Sequence, residues 1–139
     1  MEAIERIIEE GIAVEKINFV RATMNEAFKI KNNLAEDSFD YGKIIVDLSS
    51  CDYIDSTFLG ALIYSYRNII ARKSIMVLVI GDTQLSKSFI YHEIIKMFRV
   101  YETLSEAIAE LNKEEKKHRV EKLQQIQLSC TDTIDIINY

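Results

Sequence analysis

The chain has 139 residues, a formal net charge of −5, 48% hydrophobic and 28% charged residues, which is one domain of ordinary globular composition. The acidity argues against nucleic acid as a principal partner, and no apolar run approaches the ~20 residues of a membrane span. Glu2 and Glu5 stand where a secretory signal would be basic, Cys51 and Cys130 lack metal-ligand or C-x-x-C spacing, and four glycines form no phosphate loop, so a cytoplasmic protein with no metal and no cofactor is expected.

Met1 to Ile17 carries two apolar clusters, Ile4, Ile7 and Ile8, then Ile12, Val14 and Ile17, on either side of Gly11. The first has the steps of a helical turn and the second alternates like a strand, so periodicity leaves both forms open. Asn18 stands where a cap belongs. Val20, Met24, Ala27, Ile30 and Leu34 follow at steps of four, three, three and four, predicting a helix that ends between Asp37 and Gly42. Ile44, Ile45, Val46 and Leu48 then form a short β-branched run, the pattern of a strand covered on both faces and therefore central. Asp47 interrupts that run near its end. An ionised carboxylate there must find donors, and the amides of the loop Ser49 to Asp52 are the expected ones.

After Tyr53 and Ile54 a second helix begins, with Asp55 as its expected N-cap. Phe58, Leu59, Leu62, Ile63, Tyr66, Ile69 and Ile70 make its inward stripe, leaving Ser65, Asn68 and Arg72 for water. Ser56 and Thr57 lie at the mouth of the helix. Free donors and about half a positive charge would tolerate a phosphate there, although Ser and Thr are also favoured at helix starts for capping alone. Ile75 to Ile80 is a second unbroken apolar strand, which makes a strand–helix–strand crossover with parallel neighbours. Thr83 is placed to cap a third helix with the stripe Leu85, Phe89, Ile90, Ile94 and Met97, and His92 on it has no partner of metal or triad spacing. A short extended piece, Phe98 to Tyr101, precedes Thr103 and Glu106, a capping box for a helix bearing Leu104, Ala107, Ile108 and Leu111.

Ile45 to Leu62, IVDLSSCDYIDSTFLGAL, resembles the signature of the STAS domain of bacterial anti-sigma-factor antagonists, in which an apolar strand ending in Asp leads to D-S-[ST]-G-L-G. Asp55, Ser56, Thr57, Leu59 and Gly60 match in place. Met97 to Leu111, MFRVYETLSEAIAEL, resembles the ending of the same domain, so the likeness covers roughly Ile12 to Leu111. Phe58 departs from it, standing where the family has its first glycine, and His92 and Glu93 stand where a later glycine is usual. The resemblance implies an α/β fold, a mixed sheet of four to five strands with amphipathic helices packed mainly on one face, followed by a C-terminal extension. It also implies that Ser56 is the phosphorylated position, and that Asp52, Asp55, Ser56, Thr57 and Phe58 lie where an anti-sigma factor serine kinase would bind.

The resulting expectations are a domain over 1–112 and a charged helical or flexible extension over 113–139. In the extension the run KEEKKHR precedes a thin stripe of Val120, Leu123, Ile126 and Leu128, and then Thr131 to Tyr139, rich in β-branched types. It can pair with a sheet edge, dock on a partner, form a homo-oligomer or stay disordered. An enzyme is not expected, because there is no nucleophile elbow, Walker loop or metal cluster, and Asp47 lacks the acidic pair and later Lys of a receiver domain. Two readings remain. One is a phosphorylation-controlled anti-sigma-factor antagonist, bound to its kinase when Ser56 is free and reset by a phosphatase. The other is a non-switching STAS subunit of a sensory or lipid-transport assembly.

Overall fold

The computed structural model describes residues 3–114, 120, 121, 123 and 124. Strands β1 (Ile4–Glu9) and β2 (Ile12–Ile17) form an antiparallel hairpin in which Glu9 faces Ile12 across a two-residue turn. Glu10 (φ 52°) and Gly11 (φ 79°) both lie in the left-handed region, the turn type whose twist matches a hairpin and which glycine enters without penalty. The helix-like steps of Ile4, Ile7 and Ile8 therefore belong to an edge strand. Ile4 is buried and Ile8 exposed.

Helix α1 (Met24–Asp40) starts later than expected. Its cap is Thr23, not Asn18: Thr23 Oγ1 accepts from the Asn25 N–H (3.3 Å), and Glu26 accepts from the Thr23 N–H (2.7 Å). The segment in between holds β3 (Arg21–Ala22), which pairs in parallel with β5 (Tyr53–Ile54). Val20 and Met24 consequently face outward, whereas Ala27, Ile30 and Leu34 are buried as expected.

The main sheet has the order β1-β2-β4-β6-β7, where β4 is Lys43–Asp47, β6 Ile75–Val79 and β7 Val100–Tyr101. All its pairs but the hairpin are parallel, and β4 is central. Ala13, Ile44 and Met76 stand in one register row and Val14, Ile45 and Val77 in the next. Both rows are buried, which is why these strands read as unbroken apolar runs. Helix α2 (Ser56–Ala71) makes the crossover, burying Phe58, Ala61, Leu62 and Ile69. Ser65, expected in water, is buried on it, and Ile70 is exposed instead.

Helix α3 (Phe89–Met97) is capped at Ser88 rather than Thr83, whose hydroxyl is buried without a partner. A 3-10 turn over Leu85–Lys87 intervenes. Ser86 and Ser88 hold it by donating their hydroxyls to the carbonyls of Thr83 (2.8 Å) and Leu85 (2.6 Å). Leu85 and Ile94 are buried, while Phe89 is 94% exposed and Met97 also faces out, so the expected stripe is broken at both ends. A fourth helix, α4, covers residues 104–114, and Thr103 Oγ1 accepts from the Glu106 N–H (3.2 Å) at its start. Met1–Ala107 and Ile108–Tyr139 are two compact units. Most of the expected extension, including Ile126, Leu128, Cys130 and 131–139, lies outside the described residues.

One polar cluster fixes α1 to the hairpin. Arg6 stands opposite Glu15 across β1 and β2 and bridges Glu15, Glu36 and Asp37, each at 2.9 Å. Its Nη2 also donates to the Asn33 carbonyl (3.2 Å). Glu15 and Asp37 are buried, and Asp37 Oδ2 receives no donor. Burial first, then the charge of Glu15 and a hydrogen bond with it, push the Asp37 carboxyl up to about 8 against the pull of Arg6. Protonated, Asp37 can donate to Glu15 and no longer repels it.

The consequence has a sign. Unfolded, Asp37 loses its proton near 3.8, and folded near 8, so between these values the folded form holds a proton the unfolded form has lost. Its stabilisation is complete below the unfolded value. It then falls by about 1.4 kcal/mol per pH unit, until it is lost as pH passes about 8. Asp37→Asn, which donates to Glu15 without titrating, should flatten this dependence. Urea unfolding at pH 6 and pH 9 should show a smaller drop for the variant than for the parent, and equal drops would refute a proton on Asp37.

Candidate functional site

The site is the turn from β4 into α2, built by carbonyls and carboxylates that leave two hydroxyls outside. Asp47 Oδ1 accepts from the Ser49 N–H (3.0 Å), as a strand-end carboxylate requires, and the Cys51 N–H closes a turn on the Leu48 carbonyl (2.9 Å). The Cys51 thiol is buried. Desolvation, then the charges of Asp47 and Asp52, push it up to about 12, so it is no nucleophile near neutral pH. The Asp52 and Tyr53 N–H groups both donate to the Val20 carbonyl (2.8 and 3.2 Å), and Asp55 N–H donates to that of Ala22 (3.1 Å). Asp52 is exposed, its Oδ1 accepting from the Gln84 N–H (3.4 Å).

Asp55 is the N-cap of α2, its Oδ1 accepting from the Phe58 N–H at 2.8 Å. Its Oδ2 accepts from the Met24 N–H at 2.9 Å. One carboxylate therefore satisfies the first turns of two helices that start 32 residues apart. Sequence reasoning missed this second bond, since nothing local marks a donor 31 residues upstream.

Ser56 and Thr57 are both exposed. They differ in surroundings: Ser56 borders a cavity of about 420 Å³, lined mainly by apolar side chains including Ile54, Leu85 and Ile90, and Thr57 does not. Phe89 and Tyr53 stand at the same cavity, and Arg21 lies over the Tyr53 ring at 4.2 Å. Phe58 is fully buried in the core. Of the five residues expected to meet a partner, Asp52, Ser56 and Thr57 are thus at the surface, Asp55 is half-buried with both oxygens bonded, and Phe58 offers no ring to a partner. Its side chain turned inward because an apolar group at that step of the helix belongs to the core stripe.

The mixed sheet, its parallel crossover and the exposed hydroxyls at a helix start define a small α/β module of the STAS type. The STAS domain family model matches residues 1–107, and the chain belongs to that family. Among solved structures, a candidate anti-sigma factor antagonist from Thermotoga maritima is similar over 78% of this chain and 94% of its own, with 20% identity and a TM-score of 0.68. The unphosphorylated form of the anti-sigma factor antagonist SpoIIAA of Bacillus matches over 79% and 98%, with 17% identity and a TM-score of 0.62. A sulfate transporter family protein from Wolinella succinogenes matches over 74% and 86%, with 20% identity and a TM-score of 0.63. At these identities the likeness is one of fold. No curated protein sequence gives a significant match. Among the described residues no helix is long and apolar enough to cross a membrane, and no cluster of His, Cys, Asp or Glu is arranged to hold a metal.

Asp55→Ala removes both helix-start bonds and should lower stability by about 2 kcal/mol. Asp55→Asn keeps one acceptor oxygen and should fall between it and the parent in urea unfolding. A loss in Asp55→Ala below about 0.5 kcal/mol would show that the bond to Met24 adds nothing.

Proposed function

We propose that this protein is a phosphorylation-controlled binding module, an anti-sigma-factor antagonist that engages an anti-sigma factor serine kinase of the ATPase type when Ser56 is free. Phosphorylation of Ser56 releases the partner, and a phosphatase resets the cycle. The observation that carries this reading is the placement of Ser56. It is an exposed hydroxyl directly after the cap of α2, at the rim of an apolar cavity, in a chain of the STAS family. A phosphate there adds about −1.5 to −2 charge, which the helix start partly offsets while Asp52 and Asp55 oppose it. The fold tolerates this and the surface gains negative charge and bulk, which is what a switch needs. Asp52 and Thr57 join Ser56 in the partner surface, and Asp55 and Phe58 act from beneath by holding the helix start. In this reading the protein acts by binding, in the cytoplasm, and carries out no catalysis.

A second reading, a non-switching STAS subunit of a larger assembly, is favoured by one observation. The fold is as close to the Wolinella sulfate transporter family protein as to SpoIIAA, at TM-scores of 0.63 and 0.62.

The two separate on Ser56. The Ser56→Ala form should fold within about 1 kcal/mol of the parent and bind the kinase constitutively, and Ser56→Asp should fold yet bind at least about tenfold more weakly. Mass spectrometry after incubation with the ATPase-type kinase and ATP should place phosphate on Ser56. Equal affinity of all three forms, with phosphate on Thr57 or nowhere, would leave the subunit reading. The segment 113–139 is assigned to self-association. Deleting it should keep cooperative thermal unfolding and lower the solution mass, and an unchanged mass would remove that role.

A further inference from the structure

Helices α1 and α2 run side by side in the same direction, and between them an open groove of about 440 Å³ extends from Lys31 and Tyr64 to Phe39 and Arg72. Leu34 and Ile69 lie buried along it, with the buried Ser65 between. Its rim carries rings that stay largely exposed among the described residues: Phe39 is 72% exposed and Tyr64 56%, and Phe28, 74% exposed, continues the α1 stripe of Ala35 and Phe39. Exposed rings in such a row are unusual on a surface that meets only water.

Charge sets this groove apart from the rest of the molecule. The chain holds 22 Asp and Glu, yet α2 carries none in its 16 residues, and although α1 carries Glu26, Glu36, Asp37 and Asp40, the charged residues lining the groove are Lys31 and Arg72. Lys31 Nζ lies 4.2 Å from the Tyr64 ring centre and Arg72 Cζ 4.1 Å from that of Phe39, so each cation reaches across to a ring of the other helix. Neither has a carboxylate partner among the described residues. A cation resting on a ring keeps outward N–H donors, the planar guanidinium above all. The two cations stand eight residues apart along each helix, roughly 12 Å, with an apolar floor between them.

We propose that this groove is a docking surface for an acidic amphipathic helix of another protein. About two turns of apolar side chains would fill the trough, and carboxylates seven or eight residues apart would meet Lys31 and Arg72. Ser56 lies eight residues from Tyr64 and sixteen from Arg72 on the same helix, roughly 12 to 24 Å, so this surface is separate from the helix start and does not rest on the role of Ser56.

The test uses the full-length ¹⁵N-labelled protein and a stapled helix of about 14 residues, with Leu at i, i+3, i+4 and i+7 and two Glu seven residues apart beside that stripe. The expected result is amide shifts confined to the facing sides of α1 and α2. The same helix with Lys for both Glu should bind at least about tenfold more weakly. The double variant Lys31→Glu, Arg72→Glu should reverse that preference, whereas Ser56→Asp should leave it unchanged. Absent shifts, shifts centred elsewhere, or equal binding of the two helices would overturn the proposal. Sedimentation of the parent and the double variant covers the remaining occupant. A dimer that the double variant dissolves would mean that a second copy of this chain fills the groove, and would overturn it equally.

Discussion

The geometry of the candidate site depends on how one carboxylate is shared. A helix start leaves several amides without partners, and a capping side chain ordinarily answers those of its own helix. Asp55 answers two helices at once, one oxygen on Phe58 and the other on Met24. The bonds around it point the same way: the Val20 carbonyl takes two amides of the turn and the Ala22 carbonyl takes that of Asp55. The turn before α2 is thereby joined to the segment before α1 through the small pairing of β3 with β5. The cap that precedes Ser56 is thus held by long-range structure as much as by its own helix.

The parts of this arrangement legible in the sequence are those whose cause is local or periodic. Buried on both faces, β4 and β6 read as continuous β-branched runs, and Asp55 reads as a cap because its donor is three residues on. The hairpin was ambiguous because Ile4, Ile7 and Ile8 of β1 step like a helical turn, and β2 carries Glu15 fully buried at a position where the local sequence offers it no partner. The distant donors Arg6 and Asn33 make that position tolerable for a carboxylate. For α1, Thr23 and Glu26 spelled a capping box, but Val20 and Met24 happen to continue the inward spacing and drew the start back to Asn18. At Thr83 the competing signal was a pair of serines that hold a tight turn with their hydroxyls.

Phe58 shows how a departure from a family pattern can be absorbed by packing. A ring in place of glycine at the mouth of the helix would alter the exposed surface if it pointed outward. Instead it is among the largest fully buried side chains, in the core cluster that also holds Ile54 and Leu62. The difference lies beneath the surface around Ser56. The apolar character of that surface comes instead from Tyr53 and from Phe89, whose ring is free because α3 begins only after the serine-held turn.

The buried carboxyl pair between α1 and the hairpin gives folding a stoichiometry. Near neutral pH the unfolded chain has given up the Asp37 proton and the folded chain holds it, so folding draws up to one hydrogen ion from solution. The heat that accompanies folding then includes the ionisation heat of whatever buffer supplies that ion, and changes with the buffer at constant pH. The same linkage applies to any event that separates α1 from β1 and β2. Prying that helix away would return the ion to solvent, whereas events confined to the start of α2 leave the Asp37 proton in place.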